Sequence, residues 1–298
     1  MQNADVVLGP GSYNIVPPYT APPFVSAICV GGGGSGTSFN GGGGGGGGGG
    51  GLAWVNNISI VPGVTLLRVS VGKAASVSSI LIGRTPVLKA NGGNSASGQF
   101  GGTGGCNITG FGGCGGAGGT LTDNAVFYGA GGGGAGGYFG NGGDGGNASG
   151  YTVLLNGAGG PTPGLNAAAG SGAGGGGGGG GSLNADGSTS QPGAGGYGGG
   201  VGLYGLGTDG VGGLAGFDAS GTSGTAGSNF TGVTFGAGAG SSMNGTVLVG
   251  APGACRIVWG VNIGFPNSGV GVPPPLASPP PPPSVRVFNS VRAACAAN

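Results

Sequence analysis

Eleven consecutive glycines, Gly41 to Gly51, constrain this chain more than any other feature. A run without Cβ atoms adds nothing to an apolar core, and each glycine disfavours helix by about 1 kcal/mol relative to alanine. Such a run orders only where its amides find partners on neighbouring chains. Glycine supplies 90 of the 298 residues, against a usual share of roughly 7%. Collagen requires a strict Gly-X-Y repeat with proline in the triplets; an unbroken run, with prolines gathered toward the two ends, excludes it. Disorder is disfavoured because 37% of the residues are hydrophobic and strand-like segments recur, which offsets chain entropy of about 1–2 kcal/mol per residue.

Two ordered states fit the glycine tracts. One is many short strands with tight turns. The other is a bundle of threefold, polyproline-II-like polyglycine helices. An isolated helix of that kind has no internal hydrogen bonds, so its amides bond laterally and any Cβ at the contact holds the backbones apart. The bundle reading puts Gly41–Gly51, Gly131–Gly134, Gly174–Gly181 and Gly198–Gly200 in the interior, with Tyr138, Tyr151, Tyr197 and Tyr204 on faces or turns. A flexible linker is the competing reading of the longest tract.

Charge is scarce: seven Lys or Arg and six Asp, with no His and no Glu. A hydrolase triad, an imidazole-ligated metal site and a Glu general base cannot be written in this alphabet, so the expectation is a non-enzymatic protein without cofactor or metal. No basic cluster is present to meet nucleic acid or an anionic membrane. No stretch reaches the ~20 apolar residues of a membrane span, and Met1–Asp5 shows neither a basic n-region nor an apolar h-region of a secretion signal. Cys29, Cys106, Cys114, Cys255 and Cys295 form an odd set without CxxC. That spacing signals neither a zinc site nor a disulfide framework, and most of these cysteines are expected as small buried hydrophobes.

The fold class expected is all-β, a β-sandwich or jelly-roll-like region carrying an inserted glycine-rich bundle and an extended Pro-rich C-terminal arm. Four regions follow: an N-terminal β region at 1–90, a glycine-rich region at 91–245, a closing strand segment at 246–272 and the arm at 273–298. Strands are expected at 12–16, 24–30, 52–60, 64–71, 79–82, 85–88, 245–249 and 254–259, with Pro86 demoting its strand to a sheet edge. The strands at 24–30, 64–71 and 254–259 are expected in one sheet. Pro273–Pro275 and Pro279–Pro283 make a stiff spacer at ~3.1 Å per residue. Beyond it, Ser284–Arg292 alternates as a lone strand whose Val285, Val287, Phe288 and Val291 are the candidate assembly residues.

Four segments carry a family resemblance. They are Gly11-Ser12-Tyr13-Asn14-Ile15-Val16-Pro17 with Val25–Gly34; Gly49–Gly63 followed by Val69-Ser70-Val71-Gly72; Gly199–Gly205; and Gly253–Gly260 with Phe265-Pro266-Asn267. In this order they resemble the glycine-rich structural or tail-fibre-like proteins of tailed bacteriophages, cyanophages especially. The resemblance implies a virion-associated role and, for some members, adhesion to the host surface. It supplies no catalytic residues, and the Pro-rich arm departs from it.

The remaining motifs are weaker. GxGxxG matches abound by chance in such a composition, and none opens a helix in a βαβ unit. Tyr204–Asp209 half-matches a calcium-binding repeat but stands alone. Five Asn-x-Ser/Thr sequons, at Asn57, Asn107, Asn147, Asn229 and Asn244, are candidate glycan acceptors. Trp54 and Trp259 lie within strands and read as core, while exposed aromatics on an uncharged glycine scaffold suit carbohydrate. The partner expected is the protein itself, in an oligomer or filament located in a virion or outside cells, with host-surface carbohydrate as a second partner.

Overall fold

A computed structural model describes residues 4–38, 44–121, 129–148, 182–183, 195–204, 210, 216–217, 235–242, 247–260 and 263–266. The described residues form no helix. Eleven strands occur in chain order: β1 (Ala4–Leu8), β2 (Gly11–Ile15), β3 (Phe24–Val30), β4 (Leu52–Ser59), β5 (Leu67–Val71), β6 (Ser78–Ile82), β7 (Thr85–Ala90), β8 (Asn107–Thr109), the two-residue β9 (Ser182–Leu183) and β10 (Gly216–Phe217), and β11 (Ala254–Trp259). An antiparallel four-stranded sheet runs β1-β11-β3-β4, and an antiparallel five-stranded sheet runs β2-β5-β6-β7-β8. β9 and β10 pair in parallel. The described residues are therefore all-β.

The two sheets face each other across one core, to which Val25, Ala27 and Ile257 contribute from the first sheet and Leu67, Val69 and Ile80 from the second. β5 shows what one-sided burial does to a sequence: Leu67, Val69 and Val71 are buried while Arg68 and Ser70 are exposed. β3 and β11 instead lack that alternation, because both faces are covered: every residue from Val25 to Val30 and from Ala254 to Trp259 is buried, Ser26 and Arg256 included. Their second face, with Ile28, Val30, Ala254 and Val258, packs against Ala135, Tyr138, Val201, Leu203 and Phe265. Each buried Val, Leu, Ile or Phe side chain contributes on the order of 1.5–3 kcal/mol.

Glycine segments continue directly from strand ends. β3 runs into residues 31–37, residues 44–51 run into β4, β7 runs into 91–98, and 102–105 lead to β8. These segments bond sideways with a period of three. Gly45, Gly48 and Gly51 donate to the carbonyls of Gly98, Asn94 and Asn91; Gly46 and Gly49 donate to Gly119 and Gly116; Gly47 and Gly50 donate to Ala239 and Gly236. The carbonyls follow the same rule. Gly44, Gly47 and Gly50 accept from Ala130, Gly133 and Gly136; Gly46 and Gly49 accept from Gly102 and Gly105; Gly45, Gly48 and Gly51 accept from Thr37, Gly34 and Gly31. The segment 44–51 thus has six neighbouring segments, three accepting from its N–H groups and three donating to its C=O groups, and every residue in it is buried. A methyl group at Gly46 would strike the Gly131 carbonyl and one at Gly49 the Gly134 carbonyl. This is why the sequence tolerates no side chain there.

Several expectations are corrected. The strand expected at 64–71 begins at Leu67 and lies in the five-stranded sheet, away from β3 and β11. Its one-sided alternation suits a sheet covered on one face, whereas the sheet of β3 and β11 is covered on both. β7 is not an edge: β8 flanks it, but only at Lys89 and Ala90, so the missing N–H of Pro86 falls where β7 has one neighbour. Residues 247–249 form no strand; Val247 and Val249 are exposed, and the Leu248 carbonyl accepts from Gly36. Tyr138 is fully buried, packed into the second apolar cluster. Four of the cysteines, all among the described residues, form two disulfides, Cys29–Cys255 and Cys106–Cys114. Spacing hid the first because strand pairing, not sequence proximity, brings its halves together.

Candidate functional site

The most regular arrangement of side chains lies on the outer wall of the glycine array. Residues 113–120, which already accept from Gly46 and Gly49, direct their own N–H groups along three faces. Gly113, Gly116 and Gly119 donate to the carbonyls of Gly137, Gly134 and Gly131, while Gly115 and Gly118 donate to Gly105 and Gly102. The third face meets side chains: Cys114 N–H donates to Asn141 Oδ1 (2.9 Å), Ala117 N–H to Asp144 Oδ1 (2.7 Å) and Thr120 N–H to Asn147 Oδ1 (2.8 Å). In return the Gly142, Gly145 and Ala148 N–H groups donate to the carbonyls of Cys114, Ala117 and Thr120. The sequence Asn-Gly-Gly-Asp-Gly-Gly-Asn encodes this ladder, since a threefold helix sets every third residue on one face.

A second cluster ties β1 and β11 to residues 203 and 204. Arg256 on β11 is buried, and its guanidinium pairs with Asp5 Oδ2 on β1 (2.9 Å), donates to the Leu203 carbonyl (3.2 Å) and lies 4.3 Å from the centroid of the Tyr204 ring. A third is aromatic. Phe111 and Phe139, 64% and 59% exposed, flank Trp54 at centroid separations of 5.0 and 5.9 Å. Trp54 Nε1–H donates to the Tyr138 carbonyl (3.1 Å). Trp54 and Trp259 are both buried.

The residues singled out in the sequence fall in different places. Asn57 is exposed in β4, in the left-handed region at φ 56°. Asn107 Nδ2 donates to the Gly110 carbonyl (3.0 Å), and Asn147 is a rung of the ladder. Asn229, Asn244, Val285, Val287, Phe288 and Val291 lie outside the described residues, as do Gly174–Gly181, Tyr151 and the whole Pro-rich arm. Tyr197 and Tyr204 are exposed by 39% and 37%. The ladder of Asn141, Asp144 and Asn147 was missed as a unit; its signal was the three-residue spacing of Asn and Asp between glycine pairs.

Among the described residues no group of three or more His, Cys, Asp or Glu side chains gathers to hold a metal ion, and no helix is long and apolar enough to cross a membrane. The two disulfides are compatible with an extracellular or secreted protein. The fold defines an all-β, disulfide-bonded, glycine-rich protein. No protein-family model matches the chain, and no curated protein matches it.

Proposed function

We propose that the chain is a non-enzymatic structural subunit of an extracellular fibril or of a phage-like virion appendage. In this reading the sheets are a jelly-roll-like sandwich, the inserted glycine segments are a polyglycine-II-like bundle, and Pro273–Pro283 is a stiff arm. The arm carries residues 284–292 to a sheet edge on the next copy, where Val285, Val287, Phe288 and Val291 complete a strand. Eleven residues at ~3.1 Å each reach on the order of 34 Å, enough to cross an interface.

The observation that supports this reading best is the six-neighboured segment 44–51. A bundle in which backbone groups bond in all lateral directions resists bending and shear without needing side chains, a property suited to a mechanical part. The experiment is truncation after Val272 with electron microscopy of the purified protein. The truncated chain folds and stays soluble while end-to-end assembly is lost; unchanged polymers refute strand exchange through the arm.

The second reading is a tail-fibre-type adhesin that meets host polysaccharide through the glycine-rich region. The exposed Phe111 and Phe139 over Trp54 favour it, because rings on an uncharged surface stack against sugar faces. It requires that the truncated, unassembled chain still bind host-surface glycan, and that Phe111→Ala weaken that binding.

A further inference from the structure

At the end of β3 and β11 remote from the glycine array, a cleft of about 370 Å³ opens beside Ser26 and Val258. A β-bulge shapes it. Val25 pairs with Ile58 and Ala27 with Val55, so Asn56 and Asn57 together stand opposite Ser26 alone. The extra residue is accommodated by the left-handed backbone of Asn57, a conformation asparagine adopts more readily than most residues.

The two asparagines then do different things. Asn56 grips the backbone of Phe265, its Nδ2 donating to the carbonyl (2.6 Å) and its Oδ1 accepting from the N–H (2.8 Å). The Ser26 hydroxyl donates to the Ile263 carbonyl (3.4 Å), so the wall formed by Ile263 and Gly264 is pinned at two points. Asn57 is exposed, and its amide has no hydrogen-bond partner among the described residues. Phe24, 49% exposed, lines the same cleft beside Pro22.

We propose that this cleft binds one pyranose ring of a neutral glycan. Among the described residues no ionisable side chain lines it, which disfavours phosphorylated, sulfated or uronic sugars and metal ions alike. A free carboxamide offers one acceptor and two donors on adjacent atoms, the pattern that neighbouring sugar hydroxyls satisfy. Phe24 and Pro22 supply an apolar surface for the ring's C–H face. A volume of about 370 Å³ lies near the lower end of ligand pockets, about 300–1,000 Å³, and so suits a single ring. The site belongs to the four-stranded sheet rather than the glycine segments and does not depend on the assembly reading.

The test uses the full chain with methyl glycosides of glucose, galactose, mannose and N-acetylglucosamine, and with glucuronate, read by saturation-transfer NMR and calorimetric titration. One neutral glycoside saturates the protein, and Phe24→Ala and Asn57→Gly each weaken it at least tenfold. Asn57→Gly keeps the left-handed backbone accessible while deleting the amide, so its fold is preserved and its melting temperature reports that. Phe111→Ala leaves the affinity unchanged. Absence of transfer to every neutral glycoside, glucuronate binding as tightly as the neutral sugars, or full affinity in both cleft variants overturns the proposal. So does a hexose mass found covalently on Asn57 itself, which makes the cleft the seat of an attached glycan.

Discussion

Cys29 on β3 and Cys255 on β11 are bonded with their Cα atoms 4.1 Å apart, although 226 residues separate them in sequence. They are register partners in the four-stranded sheet, two residues before the chain enters its first glycine segment. The loop they close contains every glycine segment of the array between residues 31 and 251. Replacing both by alanine removes a restraint on the unfolded chain worth about 5–6 kcal/mol in the chain-entropy account, whereas the Cys106–Cys114 pair, only 8 residues apart, is worth about 2–3 kcal/mol. Denaturant titration of the two double variants gives this order, and equal losses would contradict it.

Glycine replacement has a graded outcome. Gly49→Ala sets a methyl against the Gly134 carbonyl, whereas a Cβ at Gly9 meets nothing within 4 Å. The first change costs about 1–3 kcal/mol as overpacking, and the second less than about 0.5 kcal/mol as a surface change. Thermal melting of the two single variants decides this; matching melting temperatures would mean that the array yields without resistance.

The ladder makes a prediction at single-amide resolution. Asp144→Ala frees the Ala117 N–H, while the adjacent Gly116 N–H keeps its bond to the Gly134 carbonyl. Hydrogen exchange at Ala117 accelerates and that at Gly116 does not. Stability falls by about 0.5–1.5 kcal/mol, the net worth of one hydrogen bond. Asp144→Asn retains an Oδ1 acceptor and restores protection.

Asp5→Ala leaves the Arg256 guanidinium with the Leu203 carbonyl and the Tyr204 ring but without its carboxylate. Asp5 is about half exposed, so water compensates in part, and the loss is about 1–2 kcal/mol rather than the 3–5 of a fully buried pair. Arg256→Ala costs more, because it also removes the link to residues 203 and 204. Urea denaturation of both variants compares them directly.

Legibility in the sequence followed how many faces of an element are buried. β3 and β11 were readable to the residue because both are short, predominantly apolar stretches rich in β-branched and aromatic residues, each broken by one polar residue, Ser26 or Arg256. β1 was not, since Ala4–Leu8 is short and alternately exposed, and its place is set by Arg256 and the free edge of β11. The sheet membership of β5 depended on which apolar face it met, information that alternation does not carry. Lateral bonding of the glycine tracts followed from the lack of any other partner for their amides, but the choice of neighbours did not. The cleft was invisible except for Asn57, which stood out only as a sequon; its walls come from three distant segments that strand pairing and a bulge bring together.

The Asn141–Asp144–Asn147 ladder bears on how a protein of this kind changes size. An interior segment needs glycine on all faces because another backbone lies along each of them. A peripheral segment needs one residue in three to carry a short oxygen-bearing side chain, which stands in for the chain that is not there. Substituting glycine at those three positions removes the boundary and exposes a row of donors to any further glycine strand. Girth is therefore open to change by substitutions at these three positions, with the sheets from which the segments grow left as they are.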